Sequence, residues 1–176
     1  MRKLCLFIAC SLDGYIAAPN ENLDFLKIVE KEGEDYGYQA FTSSVDTIII
    51  GRKTYDWVRR EIGTEHYDNG DREVYVITRT ERAPIGKTLF YTGELSSLIR
   101  RLKSEQGKNI YCDGGAEVIH ELLKIDLVDE LIISIVPILL GNGIRLFKDG
   151  RPKQQLKLIK TKAFDTGLVQ VQYKRE

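Results

Sequence analysis

The sequence predicts an α/β protein with a mostly parallel central sheet covered on both faces and antiparallel strands at its C-terminal end. Three observations predict it. Strand-like and amphipathic helical segments alternate through the middle of the 176 residues. TIIIG (47–51) is a continuous apolar run, as a strand buried on both faces requires. Beyond residue 124 the helical period disappears and strand-like runs remain, which favours antiparallel pairing.

In chain order, KLCLFIAC (3–10) reads as a buried strand and SLDGYIAAPNEN as a loop rich in Gly, Pro and Asn. LDFLKIVEKEGE has no decisive period, and 35–45 is weakly helical, with Tyr38 and Phe41 three apart. After the strand at 47–51, RKTYDWVRREI repeats Tyr55, Val58 and Ile62 at helical spacing, with Trp57 assigned to the core. GTEHYDNGD (63–71) reads as a polar loop, EVYVITR (73–79) as an alternating strand and KTLFYT as a short one. ELSSLIRRLKSEQGK is an amphipathic helix with Gly107 as its stop. NIYCD is a strand, AEVIHELLK a helix, and 128–141 a long β-rich run broken by Pro137. LKLIKTKAF and GLVQVQYKR close the chain as two strands around the turn at 165–167. There is no repeat or linker, so one domain is expected over residues 1–176.

Lys+Arg and Asp+Glu both number 26, which argues against a general nucleic-acid or membrane surface. Any anion site must therefore be local. Cys5, Cys10 and Cys112 lie in apolar runs and fit buried free thiols in a cytoplasmic protein. The short apolar start reads as a strand rather than a secretory signal. No run approaches the ~18 apolar residues of a membrane span, and no spacing of ligand residues suggests a metal.

Ligands of open α/β sheets sit at the carboxyl ends of strands. Three such ends have unusual content. Gly51 is followed by Arg52, Lys53 and Thr54 at a helix start, where free N–H groups and two cations suit phosphate. Thr78-Arg79-Thr80 brings a hydroxyl and a guanidinium to another. Gly114-Gly115 leaves bare backbone between a strand and a helix. A helix cap, a surface arginine and a plain turn are the competing readings of each one alone. Together they point to a nucleotide with several phosphates.

With SLDGYIA (11–17), DTIIIGRKTY (46–55), VITRT (76–80), GGAEVI (114–119) and VDELIISIVPILLGNGIRLF (128–147) in this order, the chain resembles the dihydrofolate reductase-like superfamily nearly end to end. It looks most like the branch of the reductase domain of bacterial riboflavin biosynthesis. The resemblance implies NADPH as cofactor. It places the cofactor along Ala9, Gly51–Thr54, Thr78–Thr80, Asp113 and the run Gly114, Gly115, Ala116, Glu117 and Val118, with a cis peptide across the glycine pair. It also implies a homodimer and a small heterocyclic substrate, a pterin or a pyrimidine. Gly141-Asn142-Gly143 would lie near that substrate.

Reduction of C=N or C=O needs a proton as well as a hydride. The superfamily uses a carboxylate on the helix before the second strand. Asp35, sixteen residues before Gly51, stands at comparable spacing, although the segment before it is longer and more charged than the family pattern. Asp13, in the loop matching the mobile lid, and Asp24, which also suits a helix cap, are alternatives. His120 is assigned a packing role. The expected activity is NADPH-dependent reduction of a heterocycle. A stand-alone riboflavin-pathway pyrimidine reductase and a non-catalytic nucleotide-binding protein are the other readings.

Overall fold

The computed structural model describes residues 1–63, 65–68 and 71–176. Strands β1 (Leu4–Ser11), β3 (Val45–Gly51), β4 (Glu73–Ile77), β5 (Thr88–Tyr91), β6 (Asn109–Gly114) and β7 (Glu130–Val136) run parallel; β2 (Tyr15–Ala17) lies outside their sheet. A C-terminal hairpin, β9 (Leu156–Ala163) and β10 (Val169–Arg175), adds to β7 antiparallel through β10. The sheet order is β5-β4-β3-β6-β1-β7-β10-β9.

The apolar run in β3 is explained by its pleat. Ile49 joins the cluster under helices α4 (Leu95–Ser104) and α5 (Ala116–Lys124), with Leu98, Leu102, Ile119 and Leu122. Ile48 and Ile50 face the other way, toward Tyr55 and Val58 of α2 (Arg52–Glu61) and Tyr111 of β6. A strand covered on both faces has no polar side to show. Helix α1 (Tyr38–Ser43) lies on the α2 face, where Phe41 meets Phe7 at 4.8 Å and Tyr111 at 5.0 Å. Thus β1 and β3 send their chains to one face, while β5 and β6 send theirs to the other. That reversal opens a crevice at the carboxyl ends of β3, β6 and β1.

Several expectations change in the fold. The loop at 11–22 contains β2, which pairs antiparallel with β8 (Ile144–Arg145) outside the main sheet. The run 128–141 does break at Pro137 as expected: its strand ends at Val136, because Pro137 has no N–H to continue the ladder. Asp24–Val29 is a 3-10 helix whose Phe25 and Val29 pack on Val136 and Leu168. The polar loop at 63–71 contains a helical turn, α3 (Glu65–Asp68); its residues 64, 69 and 70 lie outside the described residues. Trp57 is half-buried at the margin of its cluster.

Gly107 does not stop α4, which ends three residues earlier at Ser104. A Cβ at Gly107 would stand 2.6 Å from Asp46 Oδ2 and 3.2 Å from the Arg2 guanidinium carbon, so the glycine leaves room for the ion pair of buried Arg2 with half-buried Asp46. The three thiols are buried and free, and burial pushes Cys5 and Cys112 up to about 12 and Cys10 up to about 11. No helix among the described residues is long and apolar enough to cross a membrane.

Candidate active site

The three motif-bearing strand ends are neighbours. β4, β3 and β6 lie side by side and parallel, so Thr78, Gly51 and Gly114 reach one edge. Gly51 and Gly115 are in close approach: a Cβ at Gly51 would meet Gly115 N at 3.5 Å and Val118 Cγ2 at 3.1 Å. A Cβ at Gly115 would lie 2.5 Å from Thr54 Oγ1. Gly114 sits at φ +98°, where a side chain is disfavoured, and the Gly114-Gly115 peptide is cis. Helices α2 and α5 start here, and neither has a side-chain cap. Their first N–H groups therefore open toward the strand ends without a side-chain acceptor.

The candidate cations divide into two kinds. Arg52 is tied to Asp56 at 2.9 Å, and Arg82 grips the same carboxylate at 3.0 Å. Burial pushes the Asp56 carboxyl up, and the two guanidinium groups more than reverse this, leaving it below its usual range. Lys53 and Arg79 are exposed and make no ion pair or hydrogen bond among the described residues. Thr78 is nearly buried; its hydroxyl accepts from Thr80 N at 3.1 Å and shapes the turn instead of facing outward. Ala116 and Val118 are buried, whereas Glu117 is exposed and paired with Lys148.

Beside this edge lies a cleft of about 580 Å³, large enough for a ring system. The sheet supplies Phe7 and Ala9 of β1 and Ser134 of β7. Leu26, Val29, Tyr36 and Tyr38 form the walls. Ser134 Oγ accepts from Gln170 Nε2 at 3.0 Å, and the same amide donates to Tyr36 O at 3.0 Å. A smaller cavity of about 100 Å³ shares Tyr38 and is lined by His66, Tyr67, Arg72 and Tyr111.

The three candidate carboxylates are all held as anions. Asp35 lines the cleft two residues before Gly37, the N-cap of α1, and its carboxylate accepts Gln39 N at 2.8 Å and Gly37 N at 2.9 Å, which lowers its proton affinity. Asp24 is exposed on the 3-10 helix, and its bond with Lys27 lowers it. Asp13 accepts the Ser11 hydroxyl at 2.6 Å, Gly141 N at 2.7 Å and Leu140 N at 3.0 Å, which brings it down to about 2. It fastens the loop after β1 to residues 140–141, next to the β2-β8 ladder. The structure thus gives Gly141 a fixed neighbour: its N–H binds that loop.

Asp113, at the end of β6, behaves oppositely. Burial pushes its carboxyl above the usual range. Tyr67 OH donates to Oδ2 at 2.5 Å, and Tyr111 OH lies 2.6 Å from Oδ1. Tyr67 comes from α3, so its approach to Asp113, 46 residues away, has no signature in the sequence. The sequence does mark Asp113 as the one carboxylate that immediately precedes the glycine pair.

The profile of the RibD C-terminal domain family matches residues 2–170. YwjB of Bacillus subtilis (strain 168) is 39% identical over 175 residues, covering 99% of this chain and 98% of the relative. A putative riboflavin biosynthesis protein from Shewanella sp. PV-4 superimposes with a TM-score of 0.89 at 33% identity, covering 99% of each chain. A diaminohydroxyphosphoribosylaminopyrimidine deaminase/5-amino-6-(5-phosphoribosylamino)uracil reductase from Thermotoga maritima gives 0.72 at 15% identity, covering 99% of this chain and 57% of that one. The fold is dihydrofolate reductase-like. The Enterococcus faecalis enzyme, complexed with NADP(H), gives 0.66 at 14% identity, covering 99% and 96%.

Proposed function

From the chain's membership of the RibD C-terminal domain family, we propose that it is an NADPH-dependent reductase of a small heterocycle. One observation carries this reading: bare main chain at Gly51, Gly114 and Gly115 adjoins two helix starts and the cations Lys53 and Arg79, which have no partner among the described residues, beside a cleft of ring-system size. These groups suit a phosphorylated dinucleotide, because backbone N–H groups and cations both favour phosphate oxygens. NADPH, when bound, supplies the hydride.

The chain's own residues do the rest. Lys53 and Arg79 hold phosphate, with Arg79 selecting the extra phosphate that NADH lacks. The glycines let main chain approach the cofactor. Phe7, Ala9 and Ser134 seat the substrate ring. Asp113 holds the proton, since its environment favours the neutral acid while those of Asp13, Asp24 and Asp35 favour the anion. The protein is further proposed to act as a cytoplasmic homodimer.

A second reading, reduction of the riboflavin-pathway pyrimidine, is favoured by the match to the Thermotoga maritima enzyme. Titration with NADPH and NADH, followed by nicotinamide fluorescence, tests the cofactor reading. Loss of the reduced nicotinamide band with dihydropterins and ribosylaminopyrimidines tests turnover. Equal affinity for the two cofactors sinks the phosphate assignment, and binding without any turnover favours a non-catalytic nucleotide-binding protein.

A further inference from the structure

The cofactor edge and the substrate cleft carry opposite charge. Glu30, Glu32, Glu34 and Asp35 line the cleft, against a single ammonium, Lys31. Lys31 is itself 3.3 Å from Asp165. Lys162, whose charge Asp35 feels, sits 4.1 Å from the centre of the Phe164 ring. Five carboxylates thus meet two ammonium groups around this opening, and no arginine lines it. The walls are apolar and aromatic, and Ser134 and Gln170 place neutral polar groups at the sheet. Phosphate recognition needs cations or clustered N–H donors, and here those stand at the neighbouring edge.

Resting on the reductase reading above, we propose that this cleft takes a flat heterocycle, neutral or cationic, that carries neither phosphate nor carboxylate. The reductase from Thermotoga maritima is described by a phosphoribosyl substrate. The present chain is assigned a different class, a base or nucleoside-like ring without its phosphate. The carboxylates at the mouth repel an anionic tail, while the aromatic walls accept the ring face. The cofactor's phosphates are unaffected, because they meet the edge bearing Lys53 and Arg79.

Two matched pairs of probes test this by equilibrium binding, with and without NADPH. One is 5-amino-6-(5-phosphoribosylamino)uracil against its dephosphorylated form. The other is dihydrofolate, with its carboxylate tail, against dihydrobiopterin. The uncharged member of each pair is expected to bind about tenfold tighter at low salt, the margin shrinking at 1 M salt, where screening reaches about 3 Å. In Glu30→Lys/Glu32→Lys, two exposed positions outside the proposed catalytic groups, the margin is expected to close or invert, with folding checked by circular dichroism. Equal or tighter binding of the charged members to the unaltered protein overturns the proposal, as does failure of all four to bind. Nicotinamide fluorescence is read separately. Absent NADPH binding with the pair order intact removes the reductase reading and leaves the charge selection of the cleft standing.

Discussion

At the amino ends of the parallel strands Arg2 is buried, and each of its donors has a partner. Its guanidinium bonds to Asp46, to Thr47 Oγ1 at 2.5 Å, and to the carbonyls of Lys108 at 2.7 Å and Leu102 at 3.3 Å. Beside it Lys103 meets Asp129 at 2.6 Å and Leu127 O at 3.0 Å. At the carboxyl ends of the same strands, Lys53 and Arg79 stand exposed without partners among the described residues, and two helices start without side-chain caps. One edge spends its charges on holding the sheet together. The other leaves them available. Charge as such does not mark a site; charge that the fold leaves unsatisfied beside an opening does.

The sharpest way to break this contrast is Arg2→Ala. Removing the buried guanidinium takes the counter-ion from Asp46, which keeps its bonds from Lys108 N and Thr47 Oγ1, and a donor from the Lys108 and Leu102 carbonyls, an expected loss of about 2–3 kcal/mol. Denaturant unfolding measures it, and the NADPH affinity of the folded fraction should stay unchanged. A ligand effect as large as the stability effect would merge the two edges.

Asp113→Asn tests the other edge. Turnover should fall about a hundredfold, as expected for loss of a general acid, with NADPH affinity nearly intact. The raised Asp113 pKa also fixes the sign of the pH dependence. The acid form persists above the ordinary value of 3.8, and activity declines as pH rises through the folded pKa. The same group's contribution to stability is present below 3.8 and is lost over the same rise. A pH–rate profile unchanged in shape by the substitution would remove Asp113 from proton handling.

Arg79→Ala should weaken NADPH binding about tenfold, the size of one charged hydrogen bond. NADH binding and the thermal midpoint should not move, because this guanidinium holds no part of the fold. The smallest effect is expected at Asp13. Its folded pKa of about 2 lies below the ordinary 3.8, so its contribution is present above 3.8 and lost as pH falls through about 2. Asp13→Asn should flatten that part of a thermal-midpoint-against-pH curve and speed proteolysis of the loop at 11–22.

Much of the fold was legible in local pattern. The helix at 116–124 and the strand at 47–51 are where period and composition put them, because their side chains meet the core at fixed intervals. The β2-β8 ladder was not legible. Three residues and two residues, paired across more than 120 positions, leave no periodic trace. Gly107 was misread for a related reason: a glycine after a helix resembles a stop, and Arg2 and Asp46, which require it, come from elsewhere in the chain. At the site, the glycines and cations were legible as motifs. The division between the paired Arg52 and Lys53 and Arg79, which have no partner among the described residues, was not.

By itself the sequence determined the alternation of strands and helices, the family resemblance and the residue types at three strand ends. These depend on intervals of a few residues, which composition and period record directly. Only the tertiary structure decided that those ends are adjacent, that Tyr67 and Tyr111 enclose Asp113, and that acidic groups crowd the neighbouring cleft. Proton affinity and ligand charge preference depend on burial and on neighbours distant in sequence, and these exist only once the chain has closed on itself.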